Sequence, residues 1–517
     1  MIASGAPTPS DLAAHFRGAG WWDDSGLRDG LEAIAERDGD RLAVMDNGGS
    51  WSYAQLREAV ERAVYALLSA GVEPGDAVVL ICPNSFMAVV ATLAIFRTSA
   101  VAVTLDRRCG PSDVAHAVAT TDPRLLVMPG QLAAPLRVDE HGRRTVSFHE
   151  LRSATGTTAG WAEPDKAAPR IVLFTSGTTS KPKGVIHSLH SLLCGAHNLA
   201  TSCGFTSEDA SFLSSPLSGI TGLTHLLMAL RGGRIVLEDM FDAVTSLDHL
   251  ARGGATVLGG APVIAQTLLG ECARQNRSTS LRTIVLGGAM IPRPLLQMAI
   301  DRFSIRPVRA YGSSEAPIHT ASRSDDPLSE CIANDGAPLP GAEIEIGSAN
   351  DESELRVRGP NLFQGYLDPS DNERAFSAGW FCTGDTADIE AGRLVIRGRL
   401  KELVVRKGMK ISLQEIDDAV FGLPSAIEWA AYGVADGETG ERLVLAVRAA
   451  RPHGVTYESV SQFLLDGGLA RWKLPEQIVT WNEPLPRTAS GKIIRNRLAI
   501  DGSSMPGQFA PRLRPTN

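Results

Sequence analysis

Lysine is scarce in this chain. Only 8 of its 50 basic residues are lysines, at positions 166, 181, 183, 401, 407, 410, 473 and 492, and the other 42 are arginines. Where arginine is the default cation, a lysine marks a place that needs a compact point charge on a flexible stem. Cysteine is sparse as well. The seven cysteines are scattered from Cys82 to Cys382 with no paired spacing. That pattern argues against a disulfide or zinc framework and fits reduced, mostly buried thiols in a cytoplasmic protein. There is no basic excess: the net charge of −8 argues against a nucleic-acid-binding body. The longest apolar stretches, such as Met87–Phe96, fall short of the ~20 residues that span a bilayer. No basic-apolar segment precedes the acidic stretch at Trp22-Asp23-Asp24, so no secretory leader is expected. No internal repeat is evident.

What is present is an ordinary globular composition, 44% hydrophobic and 21% charged over 517 residues, with room for two or more domains. Residues before about Gly26 show little periodicity and are expected to be flexible. Leu27–Arg37 then reads as a short helix. Leu56, Val60, Val64 and Leu67 mark one face of a longer helix that Gly71 and Pro74-Gly75 end. Ala77–Cys82, Phe86–Phe96 and Ala100–Leu105 form a strand–helix–strand unit. The alternation resumes with strands at 211–214, 234–238, 256–258, 283–286 and 308–311, and helices at 222–230 and 292–302, which predicts parallel sheets covered by helices. Near residue 340 the texture changes to short alternating strands, a smaller antiparallel subdomain. A charged boundary at Gly398–Glu402 precedes an α+β segment of about one hundred residues, an ordinary domain size. The reading is an α/β chain with a flexible 1–26, a large domain over 27–398, a small α+β domain over 399–502, and a disordered tail over 503–517.

The chemistry gathers around Phe174-Thr-Ser-Gly-Thr-Thr-Ser-Lys-Pro-Lys183-Gly184. Apolar residues flank it on both sides, so it reads as strand, exposed turn, strand. Hydroxyls and backbone N–H groups at close range, with Lys183 as a point charge, make an oligophosphate cradle. A plain surface turn is the bland alternative, but eleven residues in this order are far more specific than a generic Ser/Thr/Gly turn. The GxxxxGK[ST] spacing is absent.

Four further stretches lie downstream: Tyr311-Gly-Ser-Ser-Glu315, Gly379-Trp-Phe-Cys-Thr-Gly-Asp385, Gly398-Arg-Leu-Lys-Glu402 with Arg406-Lys-Gly408, and Pro486-Arg-Thr-Ala-Ser-Gly-Lys492. Together with the loop, these resemble the adenylate-forming acyl-CoA synthetases over roughly residues 50–500. The resemblance implies an ATP-dependent acid–CoA ligase that uses ATP, Mg2+ and coenzyme A and has a mobile C-terminal lid. It assigns Thr175, Ser176, Gly177, Thr178, Thr179 and Lys183 to the phosphates, and Gly288, Ala289, Tyr311 and Gly312 to the adenine side. Ser314 would touch phosphate, Glu315 would hold the metal, and Asp385 with Arg399 would take the ribose hydroxyls. Lys492 would bridge the acid and the α-phosphate as the catalytic lysine, with Lys183, Thr178 and Glu315 as its catalytic partners. Lys401 becomes the hinge, and Lys407 with Gly408 the approach for the thiol. The bland readings are a core tyrosine for Tyr311, a solvated turn for Glu315, an Asx-turn for Asp385 and a surface lysine for Lys492.

Ser218, Gly219, Ile220, Gly287 and Gly312 fall where relatives line the acyl pocket. Small residues at Ser218 and Gly219 predict a bulky, mainly apolar acid: alicyclic, terpenoid or aromatic. Ser180, Val405 and Leu413 depart from the family pattern. A carrier-protein pantetheine arm is the alternative acceptor, a non-catalytic nucleotide-binding scaffold the alternative class, and a homodimer a possible assembly. Amino-acid activation is disfavoured because no acid lies near Gly219-Ile220-Thr221. Luciferase-like oxidation would need a specialised substrate.

Overall fold

Ala77–Cys82 is buried at every position, as a central strand covered on both faces must be. It pairs in parallel with Val101–Asp106 and Leu125–Met128. Pro169–Thr175 continues the sheet in parallel beside Val101–Asp106, and Lys183–Ser188 returns antiparallel to it. Gly365–Tyr366 and Arg144–Ser147 form the edges of this seven-stranded sheet. In a second, nine-stranded sheet, Arg306–Tyr311, Thr283–Leu286, Val257–Gly260, Ala210–Leu213, Arg234–Leu237 and Leu42–Asp46 lie side by side in parallel. The helices Phe86–Arg97, Leu189–Cys203 and Ile220–Ala229 are buried on nearly every side. Helices without a polar face belong between layers.

This computed structural model describes residues 10–22, 27–156, 165–175, 182–289, 291–348, 351–400, 402–407, 409–451, 454–487, 493–505 and 507–510. The chain divides into two compact units. One comprises Met1–Ile344 with Val357–Phe381, and the other Glu345–Arg356 with Cys382–Asn517. Packing therefore divides the chain near residue 381, earlier than the charged 398/399 boundary. The α/β class, with parallel sheets in the large part and a small α+β C-terminal part, is as expected. Among the described residues no helix is long and apolar enough to cross a membrane. All seven cysteines are free; five are buried and two half-buried.

The second unit is built on the hairpin Ala426–Asp436 and Gly440–Ala449. Its period-2 alternation serves two faces. Ala431, Leu443, Leu445 and Val447 join a core with Ile416, Val420, Val460 and Leu464 of two helices. Ala430, Tyr432, Val444 and Ala446 face the opposite way, with Trp481 and Leu498. In the same unit, residues 385–390 pair antiparallel with Arg393–Arg399.

Two short segments, one towards each end of the chain, are more ordered than their periodicity suggests. Ser10–Gly18 is a helix. Trp22 is buried, stacks on His190 at 4.6 Å and donates from Nε1 to the Pro360 carbonyl at 2.9 Å. Near the other end, Gly507–Phe509 adds an antiparallel strand to Gln477–Trp481. Nine and three residues are too short for a hydrophobic period to emerge; long-range contacts create these elements. Trp22→Ala is expected to cost the large unit about 3 kcal/mol, read as a lowered denaturant midpoint. A loss below about 1 kcal/mol would show that the N-terminal segment does not pack as described.

Candidate active site

Parallel strands end together, so the segments leaving their carboxyl ends gather at a single sheet edge. Past Ala210–Leu213 come Ser218, Gly219 and Ile220; past Thr283–Leu286 come Gly287, Gly288 and Ala289; past Arg306–Tyr311 come Gly312, Ser314 and Glu315. Tyr311 is the last residue of its strand. Sequence-distant candidates thus follow strands of one sheet. The Ser218 carbonyl accepts from Thr104 Oγ1 at 2.8 Å, and the Leu217 N–H donates to Asn84 Oδ1 at 2.8 Å. Among the described residues, a β-carbon at Gly219 would meet only the Pro216 carbonyl oxygen, at 3.6 Å.

Two candidate glycines have a different reason for lacking bulk. A β-carbon on Gly312 would lie 2.6 Å from Ile318 N, and one on Gly287 would lie 2.5 Å from the Ala310 carbonyl oxygen. Both are required by the close approach of backbone. The 312–318 turn folds back so tightly that Ile318 takes φ +48°, an outlying conformation for a β-branched residue. Two buried asparagines hold it there. Asn361 Nδ2 donates to the Pro317 carbonyl at 2.8 Å and Asn198 Nδ2 to the Ile318 carbonyl at 3.2 Å. The Ser313 hydroxyl accepts from the N–H groups of Glu315 and Ala316, both at 3.2 Å. The Ser314 carbonyl lies 2.6 Å from His187 Nε2. A carbonyl only accepts, so Nε2 carries the proton and Nδ1 faces the Ser191 hydroxyl at 2.9 Å.

The ends of the Thr175–Lys183 loop sit opposite each other: Thr175 pairs with Lys183 across the two strands. The Lys183 ammonium lies 2.8 Å from Asp371 Oδ1 and 4.6 Å from the Tyr366 ring centroid. Tyr366 in turn donates its hydroxyl to Glu315 Oε1 at 2.7 Å. The phenol's pKa is strongly raised by burial first, then by the charge of Glu315 and its hydrogen bond. It remains a donor. Lys183 and Glu315, 132 positions apart in the chain, are thereby brought into one network. Ser176, Gly177, Thr178, Thr179 and Ser180 lie outside the described residues.

Within the second unit, Asp385 and Arg399 are directly paired in register, with the guanidinium Nε 2.9 Å from the carboxylate. Thr383 shapes the turn: its hydroxyl donates to the Leu355 carbonyl at 2.7 Å and accepts from the Asp385 N–H at 3.1 Å. Lys407 turns the hairpin between Leu403–Arg406 and Met409–Ser412 with φ +50°. Val405 is 43% exposed on that hairpin and Leu413 is a core residue, so the two departures have different surroundings. Lys401, Gly408 and Lys492 lie outside the described residues.

Tyr366, Asp371, His187 and Asn361 were not expected from the sequence. Each acts through hydrogen bonds, an ion pair or a ring contact to a distant segment, which no local spacing encodes. Among the described residues no cluster of three or more His, Cys, Asp or Glu could cage a metal. A lone carboxylate such as Glu315, linked to Lys183 through Tyr366, is of the kind that suits Mg2+, which favours one or two carboxylates plus substrate phosphates.

The description "AMP-binding enzyme" matches residues 31–367, and "AMP-binding enzyme C-terminal domain" matches residues 415–492. The medium-chain fatty-acid–CoA ligase of Escherichia coli is 31% identical, covering 94% of this chain and 92% of its own. A Rhodococcus jostii propanoyl:CoA ligase, whose acyl group carries a methyl-dioxo-octahydroindenyl bicycle, is 30% identical over 90% of this chain and 97% of its own. The structure of o-succinylbenzoate coenzyme A synthetase from Bacillus subtilis, in complex with ATP and magnesium, superposes with a TM-score of 0.82. It is 26% identical and covers 91% of this chain and 98% of its own.

Burial holds His187, His225 and His319 down to about 4, from an ordinary value near 6.5. The unfolded chain therefore binds more protons between these values. Stability is full above about 6.5 and falls as pH drops toward about 4. Denaturant midpoints measured across that window are expected to fall steeply, and less so for His225→Gln. An unchanged slope in that variant would show that His225 is not held neutral.

Proposed function

The chain belongs to the AMP-binding enzyme family and is an ATP-dependent acyl-CoA ligase working through an acyl-adenylate, and we propose that its acid is bulky and mainly apolar: alicyclic, terpenoid or aromatic. The observation that carries this is Gly219, where among the described residues a β-carbon would make a single ordinary van der Waals contact, beside Ser218 at the carboxyl edge of the parallel sheet. Gly287 and Gly312 add nothing to the argument, since backbone packing alone demands them. The bicyclic acyl group in the name of the Rhodococcus jostii relative supports the same class. The medium-chain fatty acid in the name of the Escherichia coli relative is the competing reading. Relatives named for CoA favour free CoA over a carrier-protein arm as acceptor.

The reaction runs in two halves. The substrate carboxylate attacks the α-phosphorus of ATP, the bond to the β-phosphate oxygen breaks, and acyl-AMP and pyrophosphate result. The CoA thiol then attacks the acyl carbon, loses its proton and displaces AMP. In our reading Thr175 to Thr179 and Lys183 cradle the β- and γ-phosphates, and Ser314 touches phosphate. Tyr311, Gly288 and Ala289 flank the adenine, and the Asp385 carboxylate accepts from the ribose hydroxyls with Arg399 fixing its orientation. Glu315 holds Mg2+, which neutralises charge on the oligophosphate when bound. Catalysis of this kind is chiefly positioning and charge stabilisation. Lys492 supplies the moving charge: it bridges carboxylate and α-phosphate in the first half. Rotation about Lys401 then withdraws it and brings Lys407-Gly408 toward the acyl-AMP, where glycine leaves room for the thiol.

Lys492→Ala is expected to lower ATP–pyrophosphate exchange by about 10²–10³-fold, while thioester formation from supplied acyl-AMP largely survives. Unchanged exchange would remove Lys492 from this role. For the substrate, pyrophosphate release is to be measured over a broad acid panel, with and without CoA, and products identified by mass. Activation of short straight-chain acids alone would overturn the bulky-acid reading.

A further inference from the structure

Two residues beside Lys183 have no part in the chemistry assigned so far. Tyr366, 6% exposed, faces both charged members of the phosphate–metal site. Its hydroxyl donates to Glu315 Oε1 at 2.7 Å, and its ring lies under the Lys183 ammonium at 4.6 Å. A ring in that place sets the lysine through its quadrupole and the carboxylate through its hydroxyl. Because the hydroxyl occupies only Oε1, Oε2 stays available to a cation. Asp371 Oδ1 lies 2.8 Å from Lys183 Nζ, and Arg374 reaches the same carboxylate oxygen at 3.5 Å. The Lys183 and Asp371 side chains are 29% and 17% exposed, so the pair is accessible to an incoming anion.

We infer that Tyr366 is a positioning residue that aligns Glu315 for the metal and Lys183 for phosphate together, and that Asp371 is an internal counter-ion which the ATP oligophosphate displaces from Lys183. The inference rests on the phosphate and metal roles proposed above for Lys183 and Glu315. A carboxylate beside the phosphate-binding lysine competes directly with the nucleotide, because an ammonium is a point charge with three donors and no preference for one anion. In the resting protein Asp371 holds Lys183 against the Tyr366 ring. The arriving oligophosphate exchanges one anionic partner for another, and Arg374 remains beside the released Asp371. The hydrogen bond from Tyr366 works as partners behind metal ligands generally do, restricting the carboxylate to one orientation.

The test is equilibrium binding of ATP to the full-length protein without acid, by calorimetry, with Mg2+ titrated. Asp371→Asn is expected to tighten ATP binding about five-fold, and Asp371→Ser to shift it in the same direction. Weaker or unchanged binding in both would overturn the counter-ion role. Tyr366→Phe keeps the ring under Lys183 and removes only the hydroxyl. It is expected to raise the Mg2+ concentration needed for half-maximal binding about ten-fold, and to change metal-free ATP binding less than two-fold. A merely structural tyrosine would leave the Mg2+ requirement where it was, and that result would overturn the positioning role. If the unaltered protein bound no ATP with Mg2+ present, the adenylation reading itself would fall. If it bound normally and the variants matched it, only the present inference would.

Discussion

Parallel pairing is the constraint on which the site depends. Ala210–Leu213, Val257–Gly260, Thr283–Leu286 and Arg306–Tyr311 run the same way, so their carboxyl ends share one edge. Each return must pass through a crossover, and the crossovers are helices. The loops leaving that edge are therefore held by layers on both sides and free only at the site. Gly219, the Gly288 segment and the Glu315 turn all follow strands of this one sheet for this reason.

Precision within the edge comes from buried polar groups. The 311–318 turn is held against its preference, with Ile318 in the left-handed region and the amides of Asn198 and Asn361 on the carbonyls that would otherwise relax it. His187 adds a further anchor at the Ser314 carbonyl. Strain persists only where the surroundings over-determine it, and functional sites are where that is common. Burial keeps His187 neutral, so the anchor does not depend on proton uptake near neutral pH.

The scarcity of lysine proved a partial guide. Lys183 stands in the site between a carboxylate and an aromatic ring. Lys473, by contrast, pairs with Glu415 and lies over its neighbour Trp472, while Lys166 is buried. A point charge on a flexible stem suits phosphate, but it also suits an ordinary ion pair. Composition marks where to look, and the surrounding residues decide what the lysine does.

The residue order alone determined the architecture. A strand such as Ala77–Cys82 needs no distant information to be apolar throughout, and helix caps such as Ser52 and Ser85 are local signals. The candidates Thr175, Lys183, Tyr311, Ser314, Glu315, Asp385 and Arg399 could be named from the chain alone for the same reason, since each lies on a contiguous motif. Their relations were not. That Asp385 faces Arg399 depends on a register read only across two strands, and the link from Lys183 to Glu315 runs through Tyr366, carried on a two-residue edge strand. The Ser10–Gly18 helix and the Gly507–Phe509 strand are likewise too short to show a period and exist through their packing partners. Local propensity acts between near neighbours in the chain, whereas a hydrogen bond or ion pair needs only proximity in space. Tertiary structure alone supplies that proximity.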